Sequence, residues 1–355
     1  MFGRYSDALA SEVSLRGHEM TDDVNTLYIG GGTPSVLPLS VYESLLSALR
    51  SVGHGGPYDE FTVEVNPEDI VEKGEAYVEG LLKLGVNRIS MGVQSFDDDI
   101  LRFMNRRHDA ATARKAYSVL ENAGVGNISI DLIFGLSQLT DLQWSETLKK
   151  ALDISSRGIP PQHISSYQLS VEPGSMLARM VEKGKWSEAS DELCERQYAM
   201  LCESLKQAGY SHYEISNFAM PGYEAVHNSA YWDHVPYIGL GPGAHSFLKA
   251  SVSGMHSSTD AFRQWNRPDL QAYIDDPLSV REHETLDEEQ LVLERIMLSL
   301  RTSRGIPENY LREHCSRHAL ERAFSAGDLV LNPDGYARIP ESRFFISDSI
   351  ISSVV

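Results

Sequence analysis

Strands and helices alternate regularly over the first 216 residues. Five candidate strands, each followed by a helical segment, recur at a spacing of about 30 residues. This spacing predicts an α/β fold in which a parallel sheet is joined by right-handed helical crossovers. The units share a period but no sequence motif, which argues against a repeat protein. The candidate strands are NTLYIGGG, EFTVEVNP, NRISMGVQS, NISIDLIFG and HISSYQLS.

Polar residues alternate with apolar ones in the three central candidate strands. Because side chains alternate across a strand, the polar residues share one side of the sheet and the apolar residues face the helices. An unpaired buried polar group costs about 1–3 kcal/mol, so the polar side is expected to surround a solvated or liganded concavity. A structural network in which these groups satisfy one another is the alternative. The polar residues are Thr62, Glu64, Asn66, Arg88, Ser90, Gln94, Ser129 and Asp131.

Three consecutive glycines, residues 30–32, directly follow the first candidate strand in the segment GGGTPS. Such a run lets a ligand approach the backbone closely and exposes N–H groups to it. The segment matches neither the P-loop pattern nor the dinucleotide-binding glycine pattern. It indicates either a ligand-binding loop or a tight structural turn.

Charge and hydropathy exclude several classes of function. The net charge is −19 and the isoelectric point about 5.0, which disfavours binding to a nucleic-acid backbone. No uncharged apolar run approaches the ~18 residues that a membrane span needs. The first residues lack the basic-then-apolar order of a signal peptide. These features predict a cytoplasmic protein with no nucleic-acid partner and no transmembrane segment.

The pattern changes after residue 216. A loop-rich segment containing Pro, Gly, His and aromatic residues comes first, and two helical stretches and a short hairpin with a PDG turn follow from about residue 284. This order predicts a small winged-helix-like α+β module at the C-terminus. We place the boundary so that residues 1–250 form the core domain and residues 251–355 the module.

Several ordered motifs resemble one known family. The segments GGGTPS, VEVNPE, RISMGVQSF, NRRH and IDLIFGL occur in the order found in the radical S-adenosylmethionine (SAM) enzymes related to oxygen-independent coproporphyrinogen III oxidase. The later segments HNSAYW and YIGLGPGAHSF resemble the haem chaperone branch called HemW. The resemblance covers essentially the whole chain. It implies a partial (βα)6 barrel with SAM lying across the strand ends.

The resemblance also implies which residues bind each ligand. His227, Tyr231 and Trp232 of the segment HNSAYW are implied to bind haem, although His234 and His245 lie nearby in the sequence. A loop histidine packed by aromatic residues is the alternative for His227. The residues implied to contact SAM are Gly31, Gly32, Thr33, Glu64, Gln94, Arg106, Asp131, Ser170 and His245.

The chain departs from the family at its start. The family binds a 4Fe-4S cluster through C-x-x-x-C-x-x-C after the first barrel strand, and this sequence opens on FGRYSD, which matches the family just downstream of that motif. Its three cysteines, Cys194, Cys202 and Cys315, lack cluster spacing. We therefore expect a partial barrel without its first strand, from a late start assignment or a truncated gene. The chain alone is not expected to cleave SAM reductively.

Three functions are compatible with these patterns. The leading hypothesis is a haem carrier that transfers haem to an acceptor protein. The first alternative is a radical SAM enzyme that oxidatively decarboxylates coproporphyrinogen III. The second is a non-redox barrel enzyme that acts on a phosphorylated metabolite, with Glu64 or Asp131 as the base. The acidic surface and the C-terminal module allow a homodimer.

Overall fold

A curved seven-stranded sheet forms the centre of the protein. The computed structural model describes residues 2–20, 23–249 and 261–355. The first five strands of the sheet are parallel, and the last two pair antiparallel beyond them, in the order β1-β2-β3-β4-β5-β7-β6. The five predicted parallel strands are therefore confirmed. The strands are β1 (Thr26–Ile29), β2 (Glu60–Val65), β3 (Arg88–Gln94), β4 (Ile128–Phe134), β5 (His163–Gln168), β6 (Ser211–Glu214) and β7 (Asn217–Ala219).

Helices cover the apolar side of this sheet. Alternate strand residues such as Phe61, Val63 and Ile130 are fully buried there. The crossovers carry ordinary start signals, as at Thr140, where a capping box with Gln143 begins a helix. The partial α/β barrel that the sequence predicts is confirmed. The helices are α1 (Phe2–Arg16), α2 (Leu39–Ser51), α3 (Pro67–Lys83), α4 (Asp98–Phe103), α5 (Ala110–Asn122), α6 (Asp141–Leu152), α7 (Met176–Glu182) and α8 (Asp191–Gln207).

A second, three-stranded antiparallel sheet lies between the large sheet and the C-terminal module in sequence. Its order is β10-β9-β8. The domain boundary predicted at residues 250/251 lies outside the described residues, and the strands on either side of it, β8 and β9, pair with each other. The segment after residue 219, which the sequence indicates as loop-rich, contains a short helix and a strand. These elements are α9 (Val226–Trp232), β8 (His245–Lys249), β9 (Ala261–Asn266), α10 (Leu270–Asp275) and β10 (Arg281–Leu286).

The C-terminal residues form helices and a three-stranded sheet in the order β11-β13-β12. The predicted winged-helix-like α+β module is therefore confirmed. Backbone hydrogen bonds attach it to the large sheet, because Ser303 N donates to Tyr213 O and Ile215 N donates to Arg301 O. Its elements are α11 (Glu288–Ser299), β11 (Ile306–Pro307), α12 (Glu308–His314), α13 (Arg317–Ala326), β12 (Val330–Leu331), β13 (Tyr336–Arg338) and α14 (Ser347–Val354).

Helix α1 is an element that the sequence analysis did not predict. Its residues Leu9 and Val13 pack against Leu45 and Leu49 of α2, and its polar face is buried around Glu12. Among the described residues, none of the helices combines the length and the hydropathy needed to cross a membrane.

Candidate functional site

The polar sides of the strands enclose a cavity of about 160 Å³. It opens beside the triple glycine, at the carboxyl ends of the parallel strands, where ligands bind in open α/β sheets. Four side chains chosen from the sequence, Glu64, Gln94, Arg106 and Asp131, lie together in its wall. The residues that line it are Gly32, Thr33, Pro34, Glu64, Val65, Asn66, Ser90, Gly92, Gln94, Arg106 and Asp131.

The glycine turn and Glu64 form one hydrogen-bonded unit. Gly31 and Gly32 have φ angles of 79° and 61°, which glycine adopts without the steric cost of a Cβ atom. The amide N of Gly31 donates to Glu64 Oε2 at 2.9 Å. The hydroxyl of Tyr28 donates to the other oxygen, Oε1, at 2.6 Å. A Cβ atom on Gly30 would lie 2.7 Å from Glu64 Oε1, so this position has no room for a side chain.

Arg106 brings a positive charge to the opposite wall of the cavity. Its guanidinium donates to Asn66 Oδ1 at 3.0 Å and to the carbonyl oxygen of Gly92 at 3.2 Å. Burial lowers the pKa of Arg106, but a guanidinium stays protonated in proteins. Gln94 ends β3 with a φ of 67°, at a register shift in the pairing with β4. This irregular strand end turns the chain toward the NRRH segment that carries Arg106.

The NRRH segment is tied to the helix that follows β2. His108 is buried, with Nε2 3.0 Å from Val93 O and Nδ1 3.2 Å from Glu68 Oε2. Arg107 bridges to Glu68 and Asp69 at 2.9 and 3.3 Å. The segment that carries Arg106 is therefore held by a supporting layer of charged groups, to which the buried His108 belongs.

Asp131 is the second acidic group in the wall of the cavity. Burial, and next the negative charge of Glu64, raise the pKa of Asp131 from 3.8 to about 6. The hydroxyl of Ser90 donates to Asp131 Oδ1 at 3.1 Å and partly offsets this effect. Two carboxylates that share one cavity repel each other, and a cationic ligand between them would relieve that repulsion.

The raised pKa predicts a pH-dependent stability. The folded protein holds the Asp131 proton more tightly than the unfolded chain, so this residue lowers the free energy of unfolding as pH rises from about 4 to about 6. Replacing Asp131→Asn removes the carboxyl group and, with it, this pH-dependent fall in the free energy of unfolding. In urea titrations without ligand, we expect the variant to gain stability relative to the native chain over this range, and to keep the gain above pH 6. A pH-independent difference for Asp131→Asn would contradict the assignment.

The histidine predicted to bind haem lies inside the same curved sheet, near the amino ends of its strands. His227 Nδ1 is 2.8 Å from the hydroxyl of Thr26, and Nε2 is 2.9 Å from the hydroxyl of Tyr231. The imidazole stacks on Tyr28, with ring centroids 5.0 Å apart. Glu60 at the start of β2 accepts the amide N–H groups of Val226 and His227 at 2.8 and 3.2 Å. The short helix α9 is thereby capped by a carboxylate from the sheet.

Tyr28 connects the two regions. One end of this side chain bonds to Glu64 in the cavity, and its ring supports His227. Tyr231 is 38% exposed and meets Tyr237 edge-to-face with centroids 4.6 Å apart. Trp232 is half-buried at the end of α9. His227 and Tyr231 thus form one aromatic group that continues from the cavity toward solvent.

Two residues implied by the resemblance lie away from the cavity. Ser170 is exposed after the end of β5. His245 begins β8, where it is exposed and stacks on Trp265 with centroids 6.2 Å apart. Neither residue lines the cavity, so a SAM-binding role for them rests on the resemblance alone.

Tyr28, Thr26 and Glu60 were missed as site residues. The sequence did contain a signal for each of them, because Thr26, Tyr28 and Gly30 share one strand face and Glu60 shares a face with Glu64. The first strand is short and only half-buried, so its alternation is too brief to indicate a polar face by itself. The contact between Glu60 and α9 joins residues 166 positions apart, and no local pattern predicts such a contact.

The donor groups of the cavity fit SAM. This ligand carries an ammonium, a carboxylate, a sulfonium and ribose hydroxyls, and the cavity offers two carboxylates, a guanidinium, an amide and a glycine turn. The described residues do not fit a 4Fe-4S cluster, since they contain no group of three His, Cys, Asp or Glu side chains that could hold a metal. Cys194 and Cys202 lie on α8 and Cys315 follows α12.

Comparisons with known proteins show the family of this chain. Residues 7–151 match the radical SAM superfamily. The haem chaperone HemW of Synechocystis sp. is 32% identical over 86% of this chain and 70% of its own length. HemW of Bacillus subtilis is 32% identical over 92% of this chain and 82% of its own length. A mitochondrial radical SAM domain-containing protein 1 of Danio rerio is 31% identical over 94% of this chain and 75% of its own length.

The fold agrees with a solved structure as well. Coproporphyrinogen III oxidase (HemN) of Escherichia coli superposes with a TM-score of 0.76 at 20% identity, over 99% of this chain and 82% of that one. The family match and the relatives above define the half-barrel as a radical SAM-type core. The chain belongs to the HemW family of radical SAM proteins, as the motifs predict.

Proposed function

We propose that this protein is a haem carrier that binds haem beside α9, transfers it to an acceptor protein, and binds SAM in the neighbouring cavity. The observation that carries the proposal is the position of His227. It lies on a short helix inside the curved sheet, between Tyr28 and Tyr231. Tyr28 in turn donates a hydrogen bond to Glu64, which lines the polar cavity. The family to which the chain belongs supports this assignment.

His227 has the protonation state that a haem ligand needs. Burial lowers the pKa of His227 below its usual value of 6.5, with Glu60 acting in the opposite direction. The imidazole is therefore mostly neutral near pH 7, and a neutral ring nitrogen can bind iron. Both ring nitrogens already have hydroxyl partners, so iron binding requires one hydrogen bond to break. Tyr231 is the exposed partner, and Nε2 is the nitrogen that it covers.

SAM would lie against Glu64, Asp131, Arg106 and the Gly31–Gly32 turn. The carboxylates attract its cationic groups, while Arg106 and the exposed amides attract its carboxylate. In family members that hold the 4Fe-4S cluster, one electron from the cluster would cleave SAM into methionine and an adenosyl radical. The chain's own residues hold and orient SAM, and the bond from Tyr28 to Glu64 fixes the ring on which His227 stacks.

A haem titration tests the proposed function. We expect a saturable Soret change with one haem per chain, and transfer of that haem to an added apo-globin used as a generic acceptor. Absence of saturable binding would overturn the proposal. Conversion of coproporphyrinogen III under reducing conditions, without haem transfer, would instead favour the oxidase alternative, for which the HemN-like fold is the supporting observation.

The Tyr231 hydroxyl gives a finer prediction. Replacing Tyr231→Phe keeps the ring and removes the hydrogen bond that covers His227 Nε2. Such a bond contributes about 0.5–1.5 kcal/mol, so haem should bind roughly 2- to 10-fold more tightly to the variant in a Soret titration. The matched variant Tyr223→Phe, in the loop before α9, should leave the affinity unchanged. Weaker haem binding by Tyr231→Phe would show that Nε2 is not the nitrogen freed for iron.

A further inference from the structure

A second and larger cavity lies between the core and the C-terminal module. Its volume is about 420 Å³, within the range of small-molecule sites. Its walls come from the end of α9, the end of β8, the last turns of α11 and the segment around β11. None of the residues that line this cavity belongs to the SAM or haem sites described above.

Positive charge collects at this cavity although the chain as a whole carries −19. Lys249, Arg295 and Arg304 line it, and Asp233 is the one acidic residue among the described residues of the wall. Arg304 pairs with Asp233. In the described part of the chain no carboxylate lies within ion-pair distance of Arg295 or Lys249. Among the described residues, two positive charges therefore face the cavity with no carboxylate to neutralise them, although Lys249 Nζ donates to the carbonyl oxygen of His234 at 3.5 Å. A concentration of one sign of charge in a cleft attracts the opposite charge.

The wall also offers neutral hydrogen-bond donors. Ser299 is only 8% exposed and lines the cavity, and within the described residues its hydroxyl has no hydrogen-bond partner. Its Oγ atom is accessible from the cavity and can donate a hydrogen bond to a ligand there. Tyr336 adds a phenol on the side of the C-terminal module. In the part of the chain that the structure describes, an accessible hydroxyl lies beside two cations that no carboxylate neutralises, and this arrangement suits an anion.

The side chains around the cavity are held in place by their neighbours. The Arg295 guanidinium lies 4.3 Å from the centroid of the Tyr310 ring, which orients its planar donor fork. His234 stacks on Phe247 with centroids 4.4 Å apart and bonds to Glu294 at 3.1 Å. Glu294 also pairs with Arg263 at 2.7 Å. The cationic wall is therefore preformed.

We propose that this cavity binds an anionic oxygen group, a carboxylate or a phosphate, and thereby joins the C-terminal module to the core. The ligand would be held by Arg295, Lys249 and the Ser299 hydroxyl. Two sources can present this chemistry: the carboxylate arms of the haem proposed above, or a free phosphate anion. The first source rests on the proposed function, because α9 carries His227 at one end and leads into Asp233 and His234 at the other. The second source does not.

The test uses one cavity variant and one matched control. The double substitution R295Q/K249Q removes two exposed cations from the cavity, and K115Q/K206Q removes two exposed cations from α5 and α8, away from it. Each protein is titrated calorimetrically with inorganic pyrophosphate. Each is then titrated with haem and with haem dimethyl ester, followed by the Soret band.

Loss of two charge-assisted contacts predicts an affinity change of about tenfold or more. If pyrophosphate binds at least tenfold more weakly to the cavity variant alone, the site takes a free phosphate anion. If haem binds more tightly than its diester and only the cavity variant loses that preference, the site takes carboxylate arms. If both double variants match the native chain in both titrations, or if no protein binds either probe, the proposal is overturned. Absence of haem binding together with selective pyrophosphate loss would refute the proposed function and keep the anion site.

Discussion

Replacing Glu64→Gln is expected to weaken SAM binding by about 100-fold or more. The carboxylate accepts the Gly31 amide on one oxygen and the Tyr28 hydroxyl on the other, and an amide can accept on only one of them. The substitution keeps at most one of these two charge-assisted bonds as an acceptor and removes the negative charge that faces the ligand's cationic groups. Charge-assisted hydrogen bonds contribute about 1.5–3 kcal/mol each, and 1.4 kcal/mol corresponds to a factor of ten. Isothermal titration with SAM measures the change.

Two further variants serve as controls for that experiment. Glu79→Gln removes the same charge from the exposed face of α3 and should bind SAM as the native chain does. Tyr28→Phe removes one of the two hydrogen bonds to Glu64 and should have an intermediate effect. If Glu64→Gln binds SAM within threefold of the native chain, the ligand does not bind in this cavity.

Replacing His227→Ala is expected to reduce haem affinity by about 30-fold or more and to shift the Soret maximum of any residual complex. The substitution removes the iron ligand and also the stacking partner of Tyr28. The variant should fold, because the hydrogen bonds that cap α9 run from backbone amides to Glu60 and do not involve the imidazole. A Soret titration, with thermal unfolding as the check on folding, measures the result.

The neighbouring histidines supply the controls for this experiment. His245→Ala changes an exposed ring that stacks on Trp265, and His18→Ala changes an exposed ring at the end of α1. Both variants should keep native haem affinity and spectrum. If His227→Ala binds haem like the native chain and His245→Ala does not, the ligand lies on β8 and the assignment to α9 is wrong.

The polar half of the sheet could be predicted because a strand is a strictly alternating structure. Once Glu64 and Asp131 are placed on strands, their neighbours at every second position must share the same side. The parallel order follows from the helical crossovers. These two rules sufficed to bring Glu64, Gln94 and Asp131 to one cavity. Arg106 was identified through the resemblance, since it lies after the strand end on an irregular segment.

The elements around His227 could not be predicted in the same way. Helix α9 has seven residues, too few to show a helical period, and it depends on a cap from Glu60 on a distant strand. The antiparallel partners β6 and β7 are three or four residues long. Contacts between distant segments stabilise these short elements, and local patterns carry little information about such contacts. The cationic cavity arises in the same way, because Lys249 and Arg295 meet only through folding.

Tyr28 is in contact with both the polar cavity and His227, and so connects the two proposed sites. This residue is hydrogen-bonded in one site and stacked in the other. Filling the SAM cavity would change the partners of Glu64, and Glu64 fixes the phenol that supports His227. The two ligands are therefore expected to bind with dependence on each other, and that dependence must be reciprocal.

A crystal structure of the chain grown with SAM tests the central claim most directly. The account predicts the ligand in the cavity beside the triple glycine, with a cationic group within hydrogen-bond distance of Glu64 or Asp131 and its carboxylate near Arg106 or the glycine-turn amides. Density for SAM at any other place, with this cavity filled only by water, would contradict the claim that the polar strand faces form the cofactor site.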